Sequence, residues 1–279
     1  MAVAVLLMVV AMTLVPLGDT AGKLMIAGGV SPYFVAWARF VVGAACLAPV
    51  TPIDRALWRA VTDWRMILRA ALIAAGICAI LTALRTEDIG SVFGAFFVGP
   101  MLSYILSILL LGERAGPLRA VLLAVGFAGV LLVVKPGFGM TAGLGFAVLA
   151  GMFYGCYLTA NRWLAGEYSP RLLLFSQMVI GTVLLAPVLV IAAVPVLKGW
   201  ILGLLILSGV ASMLGNLLLA VAYGRASATR LAPFVYFQLV AATGFGWVVF
   251  SDLPDPIAAI GLMVILISGF ATLVLRDGS

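Results

Sequence analysis

One stretch of this chain occurs twice. Residues 31 to 50 read SPYFVAWARFVVGAACLAPV, and residues 169 to 188 read SPRLLLFSQMVIGTVLLAPV. At an offset of 138, eight of the twenty positions are identical: Ser31/Ser169, Pro32/Pro170, Val41/Val179, Gly43/Gly181, Leu47/Leu185, Ala48/Ala186, Pro49/Pro187 and Val50/Val188. Each copy reads as one apolar helix, entered through Ser-Pro and closed by Ala-Pro-Val. Proline suits a helix start because the N–H it lacks would have no intrahelical partner there. The repeat continues where Ala83 to Pro117 aligns with Ala222 to Pro256 at an offset of 139. This sets LLLGERAGP (109–117) beside VVFSDLPDP (248–256). A duplicated chain is built from two similar units, and that restricts the architecture before any other feature does.

Charge identifies the solvent of those units. Only 9% of the residues are charged, 65% are hydrophobic, and the mean hydropathy is +1.27. A soluble domain carries roughly 25% charged residues, so this surface is built to face lipid. In lipid the backbone must satisfy its own hydrogen bonds, which leaves helices or a closed barrel. Apolar runs of about 20 residues without period-two alternation select helices. Ten such runs are expected as spans, near 3–26, 33–50, 66–84, 91–111, 117–134, 141–163, 171–193, 200–223, 230–250 and 257–275. The first run, Ala2 to Leu17, lacks a basic leader and a small-x-small cleavage site, so it is expected as a span rather than a signal peptide. Five spans per half is an odd number, which turns the second half over relative to the first. The expected fold is an all-α membrane protein of ten transmembrane helices in two inverted five-helix repeats, 1–136 and 137–279. Inverted repeats carry substrate between the halves in transporters.

Positive charge predicts the orientation. Connections on the N-terminal side carry Arg55, Arg59, Arg65, Arg69, Arg114, Arg119, Arg162, Arg171, Arg225, Arg230 and Arg276, while the other side carries Lys23, Arg85, Lys135 and Lys198. Eleven against four places both termini in the cytoplasm. The formal net charge of +6 is thus a topology bias, and no nucleic-acid partner is expected. Histidine is absent, which removes the commonest acid–base catalyst and metal ligand. Cys46, Cys78 and Cys156 sit singly in apolar runs with no metal spacing. The Gly-rich GFGMTAGLG (137–145) follows no strand and lacks the Lys-Ser/Thr of a phosphate loop. No enzyme, cofactor or metal site is expected.

Polar residues inside the spans are the candidate site. Asp19 lies roughly 24 Å along the first span and Arg39 about 9 Å into the second, both toward the outer side. With Lys23, spaced i, i+4 from Asp19 and able to pair with it, they form a candidate gate or coupling site. Pro16 and Gly18 suggest a kinked or broken helix there. Ser212, Asn216 and Tyr223 share a face of the eighth span, and Tyr154, Tyr157 and Asn161 share one of the sixth. Tyr236 and Gln238 near Pro233, and Phe93, Phe97, Pro100 and Tyr104 in the fourth, complete the set. From it Phe97, Pro100, Tyr104, Tyr154, Tyr157, Ser212, Asn216, Tyr236 and Gln238 are the expected substrate-cavity residues. Neutral hydrogen-bonding groups beside aromatic faces suit a flat amphipathic substrate. The pairs Gly90/Gly94, Gly139/Gly143 and Gly151/Gly155 have helix-packing spacing. Trp58 and Trp64, flanking the Arg-rich connection 51–69, read as interface anchors. Glu87 and Asp88 read as solvated hairpin residues.

Ala38-Arg39-Phe40, then Pro100 with Leu109-Leu110-Leu111-Gly112-Glu113, then Gly126-Phe127-Ala128-Gly129-Val130 resemble the EamA-type, ten-span branch of the drug/metabolite transporter superfamily. Within it the chain looks like the bacterial aromatic amino acid exporters. The second half departs from the pattern: Ser251-Asp252 stands for Gly-Glu, and Gln177 stands opposite Arg39. The resemblance implies a multi-pass inner-membrane exporter of aromatic or other apolar amino acids, or of drug-like amphiphiles; alternating access is expected from the inverted halves, and a functional monomer because one chain carries both halves. A proton-coupled multidrug or organic-cation antiporter using Asp19 is the alternative.

Overall fold

A computed structural model describes residues 2–274 apart from 53, 113–116, 138, 165–166, 192–194, 197–198, 224 and 226–231. Among the described residues there is no strand. The helices are α1 (Ala2–Ala27), α2 (Pro32–Leu47), α3 (Arg55–Thr62), α4 (Trp64–Ala83), α5 (Ile89–Phe96), α6 (Val98–Leu111), α7 (Pro117–Val134), α8 (Ala142–Trp163), α9 (Pro170–Leu185), α10 (Val188–Ile191), α11 (Gly199–Tyr223), α12 (Phe237–Phe250) and α13 (Pro256–Val274). Seven helical stretches among the described residues are long and apolar enough to cross a bilayer: Val3–Ala27, Pro32–Val50, Trp64–Ala83, Ile89–Leu110, Ala142–Trp163, Pro170–Ile191 and Gly199–Leu219. The apolar helices Ala120–Val134, Phe234–Phe250 and Pro256–Ala271 are shorter.

Proline decides where the apolar stretches break. The run 91–111 divides at Phe97, because Pro100 offers no N–H to the Phe96 carbonyl and its ring crowds that turn. The run 171–193 divides at Ala186-Pro187, and 230–250 enters through a 3₁₀ turn, Ala232–Tyr236. Pro16, by contrast, does not divide α1, which runs unbroken from Ala2 to Ala27. The connection 51–69 holds a short amphipathic helix rather than a loop. Asp54 caps α3 by accepting from the Ala56 and Leu57 N–H groups, each at 3.0 Å. Asp63 caps α4 through the Arg65 N–H. Trp58 and Trp64 are exposed there, with Trp64 edge-on to Trp163 at 5.6 Å. Glu87 and Asp88 are structural rather than merely solvated. Asp88 accepts from the Ser91 N–H to cap α5, and the Glu87 carboxylate accepts from Thr141 at 2.7 Å.

The two halves exchange equivalent contacts. Helix α1 packs on α11 and its equivalent α8 on α4; α2 packs on α11 and α9 on α4; α1 packs on α12 and α8 on α6. The repeated glycines lie on this relation. A Cβ added at Gly181 would meet Phe40 Cε1 at 2.6 Å, and one at Gly43 would meet Met178 Sδ at 2.7 Å. Phe40 and Met178 are themselves equivalent at the offset of 138, so each half inserts the same knob into the other's glycine hole. Phe97 and Tyr236, equivalent at 139, stack on one another at 5.1 Å. Helix α8 approaches the α5–α6 break by backbone: a Cβ at Gly151 would sit 2.5 Å from Phe96 O, and one at Gly155 2.6 Å from Gly99 O.

Candidate functional site

At the centre of the bundle is a cavity of about 80 Å³ lined by α1, α2, α4, α5, α8, α9, α11 and α12. Of the expected residues, Asp19, Arg39, Tyr154, Ser212, Asn216 and Gln238 line it. The sequence reading missed Gln177, Ile73, Ile77, Phe96, Met178 and Met213, which line it too. Its walls are chemically unequal. At the offset of 139, Ser212 and Asn216 of α11 are the equivalents of Ile73 and Ile77 of α4. Helix α4 packs against α8 and α9, and α11 against α1 and α2, so the polar and the apolar version form different walls. Asn216 donates back to the Ser212 carbonyl at 2.8 Å.

Several expected residues lie elsewhere. Phe97 and Tyr236 are spent on their mutual stack. Pro100 marks the helix break and Tyr104 is away from the cavity lining; the Tyr104 hydroxyl is buried without a hydrogen-bond partner among the described residues. The side chains of Tyr223 and Pro233, and Glu113, lie outside the described residues.

Two buried polar clusters flank the cavity. In the first, Arg39 Nη1 donates to Asp19 Oδ1 at 2.5 Å, Nε to Ser208 Oγ at 2.7 Å and Nη2 to the Gly18 carbonyl at 2.7 Å. The Ser208 hydroxyl donates to the same carbonyl. Asp19 is 3% exposed and Arg39 6%, so removing either partner would strand a charge. The expected Asp19–Lys23 pair does not form, because Arg39 reaches the carboxylate from α2. Lys23 turns to the end of the bundle, donating to the Glu87 carbonyl at 2.8 Å and pairing with Asp252 at 3.5 Å, over the Phe250 ring. Nearby, Lys135 pairs with Asp255 and holds its carboxyl below the ordinary carboxylate range. This is the lysine end.

The second cluster was not foreseen. Arg69 of α4 is 3% exposed. Its Nε donates to Asn161 Oδ1, Nη1 to the Leu173 carbonyl at 3.0 Å and Nη2 to the Tyr157 hydroxyl at 3.3 Å. Tyr157 donates onward to Gln177 Oε1 at 2.9 Å. At the repeat offsets Tyr157 is the equivalent of Asp19, Gln177 of Arg39, and Arg69 of Ser208. The two clusters occupy equivalent helices with their charges redistributed. Beyond Arg69 lies the arginine end, where Arg65 binds Asp63 at 2.9 Å and Glu167 at 2.8 Å. Arg65, ahead of the Tyr168 hydroxyl, holds the Asp63 carboxyl down at about 2. Burial, and then the Asp63 carboxylate, push the Tyr168 hydroxyl up. A larger cleft of about 610 Å³ at this end, lined by Thr51, Asp54, Ser169, Arg171 and Leu217 among others, shares no residue with the central cavity.

With both ends bridged, about 80 Å³ admits water-sized guests, whereas organic ligands occupy clefts of roughly 300–1,000 Å³. Among the described residues no group of three or more Cys, Asp or Glu could hold a metal ion.

Comparison with known proteins agrees with a carrier. A riboflavin transporter of Rhizobium johnstonii is 27% identical over 207 residues, covering 73% of this chain and 68% of the relative. A pseudopaline exporter of Pseudomonas aeruginosa is 30% identical over 181 residues, 62% of each chain. A riboflavin transporter of Brucella anthropi is 26% identical, covering 81% and 82%. A protein of known crystal structure superimposes with a TM-score of 0.67 at 20% identity, covering 98% of this chain and 97% of its own, which shows a shared fold. None of the relatives named here is an aromatic amino acid exporter. The EamA-like transporter family model matches twice, at residues 2–135 and 141–274, and the chain belongs to that family of membrane transporters.

Proposed function

We propose that this protein exports small amphipathic metabolites across the bacterial inner membrane by alternating access through the central cavity. The observation that carries this reading is the division of the cavity into an apolar wall (Ile73, Ile77) and its polar equivalent (Ser212, Asn216). Such a space takes a ligand with an apolar face and a hydrogen-bonding edge, and Tyr154 and Phe96, 4.9 Å apart, offer it aromatic surface. The carrier crosses the membrane ten times as inverted five-helix halves, with its termini and its arginine end in the cytoplasm. One chain holds the whole pathway and acts as a monomer. Transport opens one cluster while the other stays bridged.

Aromatic or other apolar amino acids remain the proposed substrates on the strength of the resemblance. The names of the relatives broaden the class to metabolites such as riboflavin and pseudopaline. Counterflow in proteoliposomes tests both: vesicles loaded with amino acids, riboflavin or neither are assayed for exchange of each labelled species. Selective exchange of an aromatic species supports the reading, and absence of exchange for every species rejects the substrate class. The second reading, a proton-coupled antiporter, is favoured by the presence of Asp19 in the cavity lining. It requires flux that depends on a pH gradient and loses that dependence in Asp19→Asn.

A further inference from the structure

The redistribution of charge between the two clusters leaves an imbalance at one of them. Arg39 faces a carboxylate, whereas the partners of Arg69 among the described residues are an amide oxygen, a backbone carbonyl and a phenol. A guanidinium carries five N–H donors and is always charged, and two of those five find no acceptor among the described residues. At that end Asp63 and Glu167 are both bound by Arg65, and Asp54 caps α3. A buried cation without a counter-charge is costly unless an anion joins it.

The position of Arg69 gives that anion a route. Ile73, one turn along α4, lines the cavity, and so does Gln177, one hydrogen bond from Tyr157. Arg69 ties α4 to α8 through Asn161 and Tyr157, and to α9 through Leu173. Separating these helices to open the arginine end breaks the three neutral contacts together. The freed guanidinium would then stand at the inner mouth of the cavity.

We propose that Arg69 is a substrate-binding residue that takes the carboxylate of an anionic amphiphile as the arginine end opens. The substrates are therefore expected to be small aromatic or apolar molecules bearing a carboxylate. This rests on the transport reading above and narrows its substrate class. A charge-assisted, bidentate contact replaces neutral hydrogen bonds, so the ligand supplies part of the free energy of opening. The Tyr157 ring, with the guanidinium carbon 5.1 Å from its centroid, keeps the fork in place between cycles.

The test uses the purified full chain and matched probes, indole-3-acetate against indole-3-acetamide and phenylacetate against phenylacetamide, with affinity read from ligand-induced thermal stabilisation. Wild type is expected to prefer each acid over its amide by about tenfold, the effect of one charge-assisted hydrogen bond. Arg69→Gln is expected to lose that preference, read as the ratio of acid to amide affinity within the variant, and Arg69→Lys to keep part of it. Tyr157→Asp gives Arg69 an internal carboxylate, as Asp19 does for Arg39, and should abolish the preference in a folded protein even if Arg69→Gln does not fold. Equal response of wild type to acid and amide overturns the proposal, as does a preference that survives in Tyr157→Asp or Arg69→Gln. Counterflow of an aromatic substrate with no preference for acids would sink this inference and leave the transport reading standing. Acid binding without flux of any species would do the reverse.

Discussion

The α1–α2–α11 and α8–α9–α4 clusters are the same device made twice with different chemistry. In the first, a carboxylate on the first helix of the half meets an arginine on the second, and a serine from the opposite half closes the network. In the second, tyrosine and glutamine occupy those two places and the arginine arrives from the opposite half. Equivalent backbones therefore present an internally neutral ion pair in one cluster and, among the described residues, a cation without a carboxylate partner in the other. A duplicated fold keeps its geometry because the packing knobs and holes are shared. Its two ends can then diverge in charge without disturbing that packing.

The largest effect should come from breaking the neutral cluster. Asp19→Asn leaves Arg39 buried without its counter-charge and is expected to cost about 3–5 kcal/mol, read from thermal unfolding in detergent. The double variant Asp19→Leu/Arg39→Met should recover most of that loss, whereas a simple sum of the two single losses would show that the pair is not coupled. At the other cluster, Tyr157→Phe removes only the hydroxyl bridging Arg69 and Gln177, and about 1–3 kcal/mol is expected. A loss at Tyr157 equal to that at Asp19 would break the contrast between the ends.

Glycine holes sharpen the comparison at the packing level. Gly181→Ala must displace the rigid Phe40 ring and should cost about 1–3 kcal/mol, while Gly43→Ala meets the flexible end of Met178 and should cost less. A reversed order in the measured stabilities would show that the backbone, not the knob, yields.

A smaller effect distinguishes the helix ends. Gly112 closes α6 at φ +68°, and its equivalent Ser251 closes α12 at φ +58°. Only the second pays a side-chain penalty for the left-handed turn, so Ser251→Gly should raise stability by about 1 kcal/mol. No gain on unfolding would mean that the Ser251 side chain makes up the difference.

The smallest effect is a pH dependence at the arginine end. The Asp63 carboxyl lies at about 2 in the folded chain against an ordinary 3.8. A lowered folded value means that Asp63 contributes stability above its unfolded value and loses it as pH falls through the folded one. The contribution should fade between pH 3.8 and about 2 and be absent from an Asp63→Asn profile. Parallel profiles for the two proteins would remove Asp63 from the account.

Much of this was readable from residues alone. Sparse charge and unbroken apolar runs leave the backbone no option but helix, and the Ser-Pro and Ala-Pro-Val borders repeat because both halves need the same helix ends. The repeat offset even carries the knob–hole pairs Phe40/Gly181 and Met178/Gly43, since equivalent residues meet across a pseudo-two-fold relation. Depth arithmetic along α1 and α2 put Asp19 and Arg39 at similar levels. It could not say that Arg39, and not the i+4 lysine, takes the carboxylate. That choice depends on how α2 is rotated against α1, which side-chain packing sets across a separation of 20 residues. Arg69 was hidden for a related reason. Close to the start of its span it counts as one more positive charge on the N-terminal side, and only the approach of α8 and α9 buries it. Sequence periodicity assigns a residue to a face of its own helix, whereas which other face it meets is decided by long-range packing.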